Sequence, residues 1–146
     1  MPADPALEKL VTLGRIGRKA KKGFYFYEKD RRGGPDQAVY GELGVSSPSK
    51  NLSSSEIQER LVLPMINEAA YCLSEGIVAS PAKLDLAMIF GTGFPPFRGG
   101  LCAYADSLGA KTIVEGLQRL TSEKGGRFNP APLLIEMARI GKRFFE

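Results

Sequence analysis

Three polar residues stand among apolar neighbours in this chain, and their types can do chemistry. Asn67 and Glu68 lie between Ile66 and Ala69 in a stretch with helical periodicity. Asparagine is a poor helix former, so a mid-helix amide implies a specific partner: a ligand, or a backbone group across a helix interface. A carboxylate at Glu68 can act as a base. Arg98, between Phe97 and Gly99, can clamp a phosphate or a carboxylate. It can also serve structurally, bonding carbonyls freed at helix ends or pairing with Asp85 or Asp106. Cys72 and Cys102 have no metal-ligand spacing and read as small buried hydrophobes, so no metal site is expected. Histidine is absent from all 146 residues. It is the usual base near neutral pH and the commonest metal ligand. Acid–base work would therefore fall to Asp, Glu or Lys.

The glycines of G-T-G-F-P-P, starting at Gly91, raise the question of a dinucleotide loop. That fingerprint needs a third glycine three residues after the second, on a strand–turn–helix. Pro96 stands there instead, and the segment before it reads as helix. No cofactor-binding residue is assigned. The run from Asp85 to Gly100, D-L-A-M-I-F-G-T-G-F-P-P-F-R-G-G, reads as a buried corner against which neighbouring helices pack. Asp85, Gly91, Gly93, Pro95, Pro96, Gly99, Gly100 and the nearby Asp106 form its expected structural joint.

The elements around this corner follow from caps and periodicity. Ser53 and Glu56 have capping-box spacing. Ile57, Leu61, Val62, Met65, Ile66, Ala69, Cys72 and Leu73 then trace a helical stripe to Gly76. Pro64 lies inside it and predicts a kink. Ser80-Pro81 opens a helix that Gly91 closes. Helices follow over 101–108 and 110–124, and Asn129-Pro130 caps a last one ending at Gly141. Near the start, Asp4-Pro5 opens a short helix that ends at Gly14. Strand patterns are nearly absent, and the fold class is all-α.

Composition is that of a water-soluble globular chain, with 43% hydrophobic and 25% charged residues. No apolar run reaches the ~18 residues of a membrane span. The first residues lack the pattern of a signal peptide, which sets a cytoplasmic expectation. The net charge of +4 is uneven. Arg15, Arg18, Lys19, Lys21, Lys22, Lys29, Arg31 and Arg32 face only Glu28 and Asp30 within 15–32. Phe24 to Tyr27 read as an extended arm whose rings dock, with the basic side chains outward. The mixture resembles single-strand nucleic-acid binders, but consecutive rings alternate sides and make no common platform. Residues 31–52, rich in Gly, Ser, Pro and charge, read as a linker. The expected organisation is 1–30, a helix plus arm; 31–52, linker; and 53–146, a helical domain.

Three blocks carry a family resemblance: G-R-K-A-K-K-G-F-Y-F-Y at 17–27, R-L-V-L-P-M-I-N-E-A-A-Y-C-L-S-E-G-I-V-A-S-P at 60–81, and the 85–100 corner with Tyr104, Asp106 and Gly109 after it. R-F-N-P-A-P-L-L-I-E-M-A at 127–138 fits as well. Over nearly its whole length the chain resembles the C-terminal part of 3-hydroxyacyl-CoA dehydrogenases, above all the multifunctional α-subunits of fatty-acid β-oxidation. The resemblance implies a Rossmann NAD domain and a first α-domain ahead of this stretch. Residues 1–30 would be the tail of that first α-domain, and 53–146 a second, related one. The family's catalytic His–Glu pair belongs to the NAD domain and matches no position here. The family's substrate-proximal asparagine lies in the first α-domain; Asn67 occupies the analogous place in the second repeat, so a catalytic role does not transfer.

The resulting expectation is a C-terminal portion of an NAD-dependent L-3-hydroxyacyl-CoA dehydrogenase. It would supply structural and interface contacts and be inactive alone, meeting NAD and acyl-CoA only through the parent enzyme. Its expected partners are the NAD-binding and first α-domains. The alternatives are a self-associating helical module and, below that, a nucleic-acid-binding module acting through residues 15–32. Neither a nucleic-acid partner nor a membrane span is expected.

Overall fold

The longest element is α3 (Ser54–Ser74), and it starts where its cap dictates. Ser53 Oγ accepts from the Glu56 N–H at 3.2 Å, and the Glu56 carboxylate accepts from the Ser53 N–H at 2.8 Å. This satisfies two of the donors that a helix start leaves free. A computed structural model describes residues 5–29, 31–45 and 52–145. The chain divides into two units, Met1–Asn51 and Leu52–Glu146.

In the second unit, α3 is followed by α4 (Pro81–Thr92), a 3-10 turn (Pro96–Arg98), α5 (Leu101–Leu108), α6 (Ala110–Lys124), a second 3-10 turn (Gly126–Phe128) and α7 (Pro132–Ile140). α3 touches α5, α6 and α7, and α4 packs on α5. Leu63, Ile66, Leu101, Ile113, Leu117 and Leu134 are buried at the centre. Gly116 lets α6 approach α3: a Cβ there would lie 2.7 Å from Leu63 Cδ1. The all-α class holds for this unit, and among the described residues no helix is long and apolar enough to cross a membrane.

Several local expectations need correction. The buried stripe of α3 runs through Leu63, Ile66, Asn67 and Ala70, while Ile57 and Leu61 are exposed. The helix is apolar on more than one side, so periodicity alone could not phase it. Pro64, predicted to kink α3, lies within a continuous helix, its missing N–H removing the bond to the Arg60 carbonyl. α4 passes Gly91 and ends at Gly93, which has the positive φ (74°) of a left-handed C-cap. α7 starts at Pro132 behind Ala131, not at Asn129-Pro130, because the Asn129 carbonyl is engaged elsewhere.

The first unit departs further. α1 (Pro5–Thr12) is the short helix expected, with Gly14 beyond it at positive φ. Asp4, read as its cap, lies outside the described residues. The aromatic arm is strand β1 (Tyr25–Glu28), paired antiparallel with β2 (Arg31–Pro35), and α2 (Ala38–Leu43) follows. Residues 31–43, read as linker, are therefore folded. R-R-G-G-P has no strand propensity of its own; it pairs through its backbone because β1 offers a template. The remainder of that linker at 46–51 is outside the described residues. Leu10 of α1 and Val39 of α2 are buried, and the two helices touch.

Candidate functional site

Of the polar residues singled out in the second unit, Asp85, Asp106 and Asn67 have their side-chain atoms engaged by backbone groups. Asp85, buried on α4, accepts from the Cys102 N–H at 2.6 Å and the Ala103 N–H at 3.1 Å. These are free donors of the first turn of α5, and a carboxylate there also meets the positive end of the helix dipole. Gly100 makes the approach possible. Its φ is 114°, and a Cβ on it would fall inside the Asp85 carboxyl group, 2.6 Å from Oδ2. Asp106 holds the tail beyond α7, accepting from the Phe144 and Phe145 N–H groups at 2.8 and 2.9 Å.

Asn67 is 6% exposed. Its Nδ2 donates to the Asn129 carbonyl at 2.8 Å, and its Oδ1 accepts from the Ala131 N–H at 2.7 Å. Of the two partners open to it from sequence, the structure supplies the backbone one: the amide ties α3 to the lead-in of α7. Glu68 points the other way. It is exposed and borders an apolar cleft of about 320 Å³ lined by Met65, Cys72, Leu84, Met88 and Leu101.

Arg98 does neither of the things expected of a structural arginine. Its guanidinium lies over the rings of Tyr104 (5.2 Å) and Phe97 (5.6 Å), and among the described residues it forms no ion pair. The buried-corner reading also fails at the rings. Phe97 is 83% exposed and Phe90 on α4 is 84% exposed. Only Phe94 tucks in, tilted against Tyr104 at 6.2 Å. The corner is rigid because Asp85 and the glycines fix it, not because its aromatic rings are buried.

The glycines of G-T-G-F-P-P form no dinucleotide cradle. Gly91 is inside α4, Gly93 caps it, and Pro95-Pro96 lead into a 3-10 turn closed by Gly99 at φ 81°. The segment before these glycines is helix and not strand, and the glycine-led start of α5 at Gly99-Gly100 already has its N–H donors taken by Asp85, so NAD has no fit here. Among the described residues no group of three His, Cys, Asp or Glu could hold a metal. The thiols differ. Burial, then the Asp85 charge, push the Cys102 thiol well above its ordinary value, while Cys72 is half-exposed. A disulfide-exchange reagent at pH 8 is expected to titrate Cys72 readily and Cys102 only on unfolding. Two equally fast thiols would contradict this.

One buried charged cluster escaped the sequence reading. In the first unit Arg15 donates to Asp36 Oδ2 (2.7 Å), to the Gly23 carbonyl (3.0 Å) and to both oxygens of Glu42. Asp36 Oδ1 also accepts from the Ala38 N–H at 3.0 Å, at the start of α2. Arg15 is thus not part of the solvated basic run. Its hydrogen bonds hold the Asp36 and Glu42 carboxyls below the usual carboxylate range. Lowered folded values mean that the unfolded chain binds protons first as the pH drops. The cluster's contribution is complete above about pH 4 and is lost as the pH falls through the lowered values. Amide NMR of β1, β2 and α2 should therefore show collapse of their dispersion in acid. Retention of that dispersion at pH 2 would count against a stabilising role for the cluster.

Comparison with known proteins settles the family. Residues 57–143 match the 3-hydroxyacyl-CoA dehydrogenase C-terminal domain. The chain belongs to that family. Fatty acid oxidation complex subunit alpha of Idiomarina loihiensis is 48% identical over 145 residues, covering 99% of this chain. The same-named protein of Shewanella loihica is also 48% identical over 145 residues. The chain spans about 20% of the length of these relatives. Among solved structures, (S)-3-hydroxybutyryl-CoA dehydrogenase from Ralstonia eutropha superposes with a TM-score of 0.55 at 32% identity, over 72% of this chain and 36% of that one. The dehydrogenase part of a multifunctional enzyme from C. elegans gives 0.64 at 23% identity, over 93% and 33%, and supports the fold alone.

Proposed function

We propose that this chain is the C-terminal portion of an NAD-dependent L-3-hydroxyacyl-CoA dehydrogenase of bacterial fatty-acid β-oxidation. It completes the enzyme structurally and does not turn over substrate by itself. The observation carrying the reading is 48% identity across 99% of the chain to proteins about five times longer. The chemistry agrees. The chain has no histidine, and Asn67, Asp85 and Asp106 spend their polar atoms on backbone partners. On this reading the NAD-binding and first α-domains are its partners, the 85–106 corner is a structural joint, and the setting is cytoplasmic. The first unit, Met1–Asn51, which keeps the β1–β2 hairpin and the Arg15 cluster together, belongs with the preceding α-domain, and 53–146 form the C-terminal domain. The test is reconstitution. The chain alone should not oxidise NADH with acetoacetyl-CoA, and adding separately expressed NAD-binding and first α-domains of an α-subunit should restore turnover. Activity of the chain alone, or no binding between the pieces, would refute it.

A second reading has one observation in its favour. Phe90 and Phe97, almost fully exposed on and beside α4, are rings that seldom stay bare in water. In isolation this face would bring copies of the chain together. Light scattering should show mass rising with concentration, and Phe90→Ser should abolish the rise. A strict monomer across concentration would discard the idea.

A further inference from the structure

The first unit carries a cleft of about 440 Å³ that the dehydrogenase reading does not use. Its walls are Phe24, Pro35, Val39, Tyr40, Leu43 and Val45, with Tyr25 and Asp36 completing the lining. The volume falls in the ~300–1,000 Å³ range of small-molecule sites. The walls are mainly apolar, and its edges are not. Arg32 lies over the Tyr25 ring at 4.8 Å, exposed and without an ion pair among the described residues. No hydrogen bond of the Tyr40 hydroxyl occurs among the described residues.

The charges around the cleft are sorted. Asp36 is the acid lining it, yet both of its oxygens are taken, by Arg15 and by the Ala38 N–H. Glu42 is likewise bound to Arg15. Asp36 and Glu42 are therefore both engaged by Arg15, while Glu28 of β1 stays exposed opposite Arg31. Lys22, Arg31 and Arg32 stay exposed and outside any ion pair among the described residues. An apolar trough with a guanidinium stacked on Tyr25, one of its lining rings, suits a molecule that is apolar along its length and anionic at one end.

We propose that this cleft binds a fatty carboxylate, the alkyl chain lying along Phe24, Val39, Leu43 and Val45 and the carboxylate meeting Arg32. The guanidinium supplies a charge-assisted, two-pronged contact, and the Tyr40 hydroxyl is available as a further donor. A neutral alkyl chain would lose the first contact, and a short anion would lose the burial.

The test titrates the 146-residue chain with laurate below its micelle concentration, followed by amide NMR. Shifts should concentrate at Phe24, Tyr25, Arg32 and residues 35–45. Dodecanol and acetate should each bind at least about tenfold more weakly. Arg32→Ala, an exposed change, should weaken laurate about tenfold, and Val45→Glu should abolish binding by placing a charge in the trough. Unchanged laurate affinity in both variants, or shifts scattered over the second unit, would overturn the proposal. So would retention on anionic phospholipid vesicles with no laurate shifts at the cleft, which would reassign the rim to a membrane surface.

Discussion

Gly100→Ala is expected to destabilise the second unit by about 3 kcal/mol or more. Two penalties coincide. The backbone at φ 114° lies in a region that side chains rarely adopt, and the new Cβ would overlap the Asp85 carboxyl group. Relief requires the carboxylate to leave the first turn of α5, stranding the Cys102 and Ala103 N–H groups. For a unit of this size the loss corresponds to a fall in Tm of roughly 15 °C. Asp85→Ala should cost about 2–3 kcal/mol by removing the same cap without the clash. Asp85→Asn should fall between Asp85→Ala and the native protein, since its amide keeps one acceptor. The double change Gly100→Ala with Asp85→Ala should cost less than the two single changes added together, because both lose the same pair of hydrogen bonds to α5, although the Cβ of residue 85, 2.3 Å from the new one, still clashes. Additive losses in thermal or urea unfolding would show that the carboxylate and Gly100 do not act as a pair.

The second large effect belongs to Asn67. Replacing it by Ala removes both hydrogen bonds and leaves the Asn129 carbonyl and the Ala131 N–H short of partners, at a cost of about 2–4 kcal/mol. Asn67→Asp is more diagnostic. Its second oxygen would face the Asn129 carbonyl, so the folded state accepts it only as the neutral acid. The folded pKa of that carboxyl would be raised. The stability of the variant would then be greatest below the unfolded value of about 4 and would fall as the pH rises through the folded one. Urea unfolding should therefore find Asn67→Asp closer to the native protein at pH 4 than at pH 7. A variant equally stable at both would remove Asn67 from its bracing role and reopen the ligand reading.

What could be read in advance was what is local. The Ser53–Glu56 box, the Ser80-Pro81 start, the glycine after α1 and the bounds of α5 and α6 each depend on residues within a few positions. The phase of α3 was not readable, because Ile57 and Leu61 on its exposed side are as apolar as the Leu63 and Ile66 it buries. The hairpin was missed because β2 owes its form to β1 and not to its own residues. The Arg15 cluster joins positions 21 and 27 apart; a basic residue inside a basic run looks solvated until its partners are seen. At the corner, the importance of Asp85 and Gly100 was legible as a pattern, but the close approach of one to the other was not. The ring contacts of Arg98 were hidden for a related reason. Its partners are rings, and an arginine beside a phenylalanine is read first as a charge.

The two braces differ in how far along the chain they reach. Asp85 bonds to residues 17 and 18 positions away, whereas Asn67 reaches 62 and 64 positions. Closing the shorter loop costs less chain entropy, so the α4–α5 corner is free to form first and the α3–α7 tie to close over it. This sets an order of assembly within the second unit. Asp85→Ala should mainly slow folding, and Asn67→Ala should mainly quicken unfolding, as read from the two arms of a chevron plot. A brace that looks static in the finished fold would then also keep time in its making.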